Sequence, residues 1–136
     1  MTREHRRIAF GTFFVGAGVL HLAAPEIYLG IMPPALPHPR VLIHVSGVAE
    51  ILGGIGLMVP ATRRAAGIGL ILLLAAVFPA NVQMLVNWRG RGVSGWAEAM
   101  LWLRLPLQLL LIWWAWRLSR ADGAREKYVS CLPSER

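Results

Sequence analysis

The sequence predicts an all-α integral membrane protein: a four-helix transmembrane bundle with both termini cytoplasmic and a proline-rich outer loop between helices 1 and 2. Two observations of composition and one of pattern carry this. The 136 residues are 56% hydrophobic and only 15% charged, whereas soluble domains carry roughly a quarter charged residues. Mean hydropathy is +0.53. The apolar residues gather in four stretches, 8–24, 41–59, 65–86 and 97–116, each near the roughly 20 residues that cross about 30 Å of hydrocarbon. They use most of the chain, so residues 1–136 read as a single membrane domain, with helices at about 7–24, 40–59, 64–87 and 97–118 and a polar cytoplasmic tail at 119–136.

The first helix follows Arg6 and Arg7 and ends at Ala23-Ala24-Pro25. That outline resembles a signal peptide, but Leu22 occupies the position where a cleavage site needs a small residue, so the segment is expected to be retained. The connection 25–40 contains Pro25, Pro33, Pro34, Pro37 and Pro39. Such a segment should be extended and semi-rigid, a lid across the outer mouth of the bundle; Ile27, Tyr28, Leu29, Ile31, Met32 and Leu36 supply its apolar side. The turn from Pro60 to Arg64 is short, which makes the second and third helices antiparallel neighbours. Pro79 lies inside the third helix and should kink it, leaving the Ala75 carbonyl without its helical donor. Trp88 and Trp96 flank the last connection, while Trp113, Trp114 and Trp116 end the fourth helix, as interfacial belts do.

Charge orients the helices. With the N-terminus inside, Arg3, Arg6, Arg7, Arg63, Arg64, Arg117, Arg120, Arg125, Lys127 and Arg136 are cytoplasmic, against Arg40, Arg89 and Arg91 outside; the positive-inside rule favours that arrangement. The setting is the cell inner (plasma) membrane. The formal charge of +7 is thereby explained by topology. Its short clusters at segment ends do not make a phosphate-tracking face, and no nucleic-acid partner is expected. Glycines at 11, 16 and 18, at 47, 53, 54 and 56, and at 67 and 69 suit close helix packing within the monomer. Cys131 is the single cysteine, so the chain has neither an internal disulfide nor a dithiol redox motif.

The chemistry-bearing residues are those a bilayer tolerates least. Glu50 and Arg104 each sit within an apolar stretch, where a charge costs about 2.5–3.5 kcal/mol at a helix centre. Both should turn inward, and an ion pair between them is the leading expectation. His21, His44, Asn81, Gln83 and Gln108 join them in the outer half, while the inner half is aliphatic and glycine. This asymmetry predicts a polar cavity opening outward beneath the lid. His44 lies about 120° round its helix from Glu50, so the two do not face one centre. Each feature also has a plainer reading: Glu50–Arg104 as a register-fixing pair, the histidines as partners of backbone or headgroup oxygens, and the amides as interhelical glue. Two histidines and a carboxylate at three depths lack metal-ligand spacing, so no metal site is expected.

The runs Tyr28-Leu-Gly-Ile-Met-Pro-Pro-Ala-Leu-Pro, Ser46-Gly-Val-Ala-Glu-Ile-Leu-Gly-Gly-Ile-Gly-Leu, Phe78-Pro-Ala-Asn and Arg104-Leu-Pro-Leu-Gln resemble the DoxX-like family of small bacterial membrane proteins over nearly the whole chain. His21, Pro25, Glu50, Gly53, Gly54, Pro60, Asn81, Arg104 and Gln108 carry that pattern. The resemblance implies a four-helix bundle and a place among quinone-linked sulfur oxidation or thiol-homeostasis systems; it assigns no catalytic residue. The fold it implies is also similar to that of quinone-reducing thiol oxidases, whose cysteine pairs are missing here.

Function then divides into classes. The first is a ligand-binding membrane subunit of a redox-associated complex, taking a quinone or another lipophilic molecule with polar oxygens, none covalently bound. Arg104, Gln108 and His44 can donate to such oxygens and Glu50 can relay a proton; His21, Asn81 and Gln83 complete the candidate site. The second class is a scaffold or chaperone-like protein whose polar cluster is structural, and solute transport is the third. Partners expected in the first class are the bilayer, the lipophilic ligand, and a redox protein or a second copy of the chain. No redox centre is visible, so the chain is not expected to be an enzyme alone.

Overall fold

The computed structural model describes residues 3–29, 32, 34–90 and 95–119. They form five helices in the order α1 (Arg3–Ala23), α2 (Pro25–Leu29), α3 (Pro39–Met58), α4 (Arg63–Gly90) and α5 (Trp96–Ser119), with no strands among the described residues. The tail from Arg120 onward, with Arg125, Lys127, Cys131 and Arg136, lies outside the described residues, as do Ile31, Pro33, Arg91 and the side chains of Arg3, Arg89 and Trp96.

Prolines and caps set the boundaries. Ala24 donates its N–H to the Leu20 carbonyl at 2.9 Å, closing α1. The connection after it departs from the expected extended lid, because Pro25 opens the five-residue helix α2 instead. Proline suits the first helical position, where its fixed φ is already helical and its missing N–H would have no partner. Pro39 likewise opens α3, after His38 in the left-handed region at φ 48°. Val59, held extended at ψ 121° as a residue before proline prefers, ends it. Thr62 then caps both helices, its Oγ1 donating to the Gly56 carbonyl at 3.0 Å and its carbonyl accepting from Ala66 at 2.9 Å. Gly95 precedes α5 at φ 113°, a conformation glycine reaches without a Cβ clash.

Three of these helices, α3, α4 and α5, are long and apolar enough to cross a membrane. The 21 residues of α1 reach roughly 31 Å, but Arg6 and Arg7 in its early turns and His21 near its end dilute it. The outward faces are apolar: Leu52 and Leu72 are both 65% exposed, and Ile8, Phe13, Val45, Val86, Leu103 and Leu109 share that surface. An apolar surface this extensive requires a nonaqueous neighbour.

The long helices pack as antiparallel neighbours. On α1 and α3 the close approach runs through two glycine pairs. A Cβ on Gly11 would sit 2.6 Å from the Gly54 carbonyl oxygen, one on Gly54 2.6 Å from that of Gly11, and Gly18 meets Gly47 in the same way two turns along. Backbones this close exchange Cα–H···O contacts that larger residues would prevent. Gly53 and Gly56 of α3 receive Leu70 and Ala66 of α4. Phe10 of α1 meets Trp114 of α5 with ring centroids 5.8 Å apart.

One core, made of Phe10, Phe14, Leu57, Leu70, Leu74, Ala115 and Leu118, fills the end of the molecule where α3 stops and α4 begins. A smaller one, Met84, Leu85 and Leu101, joins α4 to α5 at the opposite end. The first end also holds two buried arginines, which the charge pattern alone counts among the cytoplasmic charges. Arg7 and Arg63 are 6% and 9% exposed; Arg63 Nε donates to the Leu57 carbonyl at 3.1 Å and Arg7 Nη2 to the Leu118 carbonyl at 3.4 Å. Cations are favoured at helix C-termini, where carbonyls lack helical donors.

Candidate functional site

His21 is placed by the last full turn of α1. Its Nδ1 lies 2.9 Å from the Ala17 carbonyl and 3.4 Å from Glu50 Oε2 on α3. A carbonyl can only accept, so Nδ1 carries the proton and points it mainly at Ala17. One N–H cannot serve both oxygens well. Glu50 Oε2 is accordingly buried without a hydrogen-bond partner, a costly state for a carboxyl oxygen.

Tyr28, on α2, closes over this pair. Its ring stacks on His21 with centroids 3.9 Å apart and an interplanar angle of 17°. Burial pushes the Tyr28 phenol above its ordinary range; the Glu50 charge adds to that shift and the Arg104 charge opposes it. The phenol is therefore a neutral donor at neutral pH. Arg104, partly buried on α5, lies within the field of His21, Tyr28 and Glu50 alike. Side chains of α1, α2 and α3 thus meet at one polar site, and the charge of Arg104 on α5 reaches all three.

The expected Glu50–Arg104 ion pair is not formed. The side-chain nitrogen beside Glu50 is His21 Nδ1, and among the described residues no Arg104 nitrogen comes within contact of the carboxylate. The two charges act on each other across a gap. The reason lies in packing: the Gly18–Gly47 approach presses α1 onto α3 and brings His21 to Glu50 first, while α5 is carried on α4.

Asn81 and Gln108 are brought together but outside this pocket's unmet demand. Asn81 Nδ2 donates to Gln108 Oε1 at 2.8 Å, and Gln108 Nε2 donates to the Leu74 carbonyl at 2.6 Å. Leu74 precedes Ala75, the residue whose carbonyl Pro79 leaves without a helical donor, and α5 carries Pro106 nearby. Each proline removes one backbone donor from its helix, and Gln108 reaches the backbone of α4 within a turn or so of Pro79. His44 and Gln83 do not join the site. Both are exposed; His44 is turned away by its angle on α3, and Gln83 donates to Asn87 Oδ1 at 2.9 Å along its own helix. Tyr28, which the sequence alone places among the lid's apolar members, is a member of the site. Its seven-residue distance from His21 signals a contact only if helix resumes after Pro25.

No curated protein and no solved structure matches the chain. A family profile does: residues 10–119, which include α3, α4, all the residues of the pocket and most of α1, match the one described as a domain of unknown function, DUF8561, and the chain belongs to that family.

Proposed function

We propose that this chain is a four-span inner-membrane protein, with both termini cytoplasmic, whose outer-half pocket binds a lipophilic molecule carrying polar oxygens, as a membrane subunit of a redox-associated complex. A quinone has the required chemistry. The observation that carries the reading is the buried Glu50 Oε2 without a hydrogen-bond partner, at a site where Arg104 stands apart from it rather than in contact. A ligand hydroxyl would satisfy Glu50, and a ligand carbonyl would accept from the Arg104 fork or the Tyr28 phenol. The apolar outer faces of the helices leave the ligand's hydrocarbon body a place to lie. The redox setting is what the resemblance to the DoxX-like family implies, a resemblance carried in part by Glu50, Arg104 and His21. The fourth span is supplied by α1, which lies along α3 through both glycine pairs.

The test is extraction in a mild detergent followed by mass spectrometry and absorbance of co-purifying molecules. Wild type is expected to retain a quinone or similar amphiphile, and folded Arg104→Leu to lose most of it. Equal retention in both would make the pocket structural and favour the scaffold reading.

A further inference from the structure

We infer that α2 is a gate over the Glu50 pocket, with Tyr28 as its plug and the Glu26–Arg40 ion pair as its latch. This rests on the reading of that pocket as a ligand site and adds how access to it is controlled. Four observations meet in one short segment. The five residues of α2 include none that is buried, so the helix is not anchored by a core of its own. Its inner contact is the stack of Tyr28 on His21, centroids 3.9 Å apart, directly over the side chain that approaches Glu50. Its outer contact joins Glu26 Oε1 to Arg40 Nη2 of α3 at 2.6 Å, with the two side chains 68% and 63% exposed. The far end of the connection is His38, a non-glycine residue at φ 48°, ψ 55° directly before Pro39. Left-handed backbone is disfavoured for such a residue and persists only where the surrounding structure holds it.

These parts differ in strength in the way a gate needs. An exposed ion pair is weak and screened by salt, so the latch releases easily. The aromatic stack is a single ring-on-ring contact, and a flat ligand ring can take the place of Tyr28 against His21. Nothing in the cores depends on α2, so it can lift while the long helices stay packed.

The gate is tested through Glu50 itself. The full chain in lipid nanodiscs is treated with dicyclohexylcarbodiimide, an apolar reagent for carboxyl groups, and the adduct at residue 50 is timed by peptide mass spectrometry. Glu26→Gln changes an exposed side chain and leaves the fold intact; it is expected to speed labelling about two- to fivefold, as loss of an exposed ion pair allows. Tyr28→Ala, checked for helix content, should speed it about tenfold. Charge exchange, Glu26→Arg with Arg40→Glu, should return the rate to that of wild type. Unchanged labelling in Glu26→Gln and Tyr28→Ala, or a swapped pair that stays fast, overturns the gate. Gated labelling without any co-purifying amphiphile would sink the ligand reading and leave the gate standing; a retained amphiphile with labelling indifferent to α2 does the reverse.

Discussion

A carboxyl oxygen buried without a donor constrains everything around it. Glu50 Oε2 has His21 Nδ1 at 3.4 Å, but that proton is already directed at Ala17, so Glu50 stays under-satisfied while His21 is held rigidly. Contact rather than mere field should decide which partner couples to Glu50 energetically. In a double-mutant cycle measured by thermal unfolding in detergent, Glu50→Gln with His21→Ala should show a coupling of about 1 kcal/mol, within the range for touching residues. Glu50→Gln with Arg104→Gln should show less, because those charges act across a gap. A larger coupling for the Arg104 cycle would mean that the guanidinium, and not the imidazole, is the true partner. Glu50 and Arg104 were both legible as costly charges in apolar runs. Tyr28 was not, because its importance depends on a helix restarting at Pro25.

At the scale of elements, the α1–α3 seam is the joint where backbone meets backbone at two glycine pairs, which makes it sensitive to a single methyl group. Gly54→Val would drive a side chain into the Gly11 carbonyl, where backbone cannot yield as a flexible side chain can; overpacking of this kind costs about 1–3 kcal/mol or more. Gly69, on α4, has nothing within 4 Å of its missing Cβ. Gly69→Ala should therefore leave stability unchanged or raise it by up to about 1 kcal/mol through helix propensity. Thermal unfolding of the two variants in detergent checks the contrast, and equal losses would refute the seam. The glycines themselves are visible in the sequence, and so is their bias toward the first three apolar stretches. Which glycine faces which is a matter of helix rotation and register, set by the full surfaces of both helices.

At the scale of the whole molecule, the basic residues serve two purposes. Arg6, Arg64 and Arg117 are exposed at the end where α3 stops, as the positive-inside rule asks of a cytoplasmic face. Arg7 and Arg63 at that same end are buried and bonded to helix carbonyls. Orientation is open to direct measurement at two exposed positions. In a Cys131→Ser background, a membrane-impermeant thiol reagent added from the periplasmic side should modify Ala35→Cys and miss Thr62→Cys. The opposite pattern would turn the pocket toward the cytoplasm and end the case for a ligand arriving from the outer leaflet.

Local physics was enough for the helical class, because apolar runs near 20 residues long and proline or glycine at their ends are properties of the chain alone. It was enough, too, to single out Glu50, Arg104, His21, Asn81 and Gln108, since the cost of a polar group in an apolar segment does not depend on its partner. Partnership did depend on it. The sequence could tell that His44 would not face the same centre as Glu50, but not that His21 would reach Glu50 before Arg104, that Asn81 and Gln108 would bond to each other near Pro79, or that Gln83 would face outward. Those outcomes were decided by the approach of α1 to α3, by the rotation of each helix about its axis, and by the five residues of α2 that bring Tyr28 over the pocket. A side chain's depth follows from counting residues, but its direction follows from how whole helices pack.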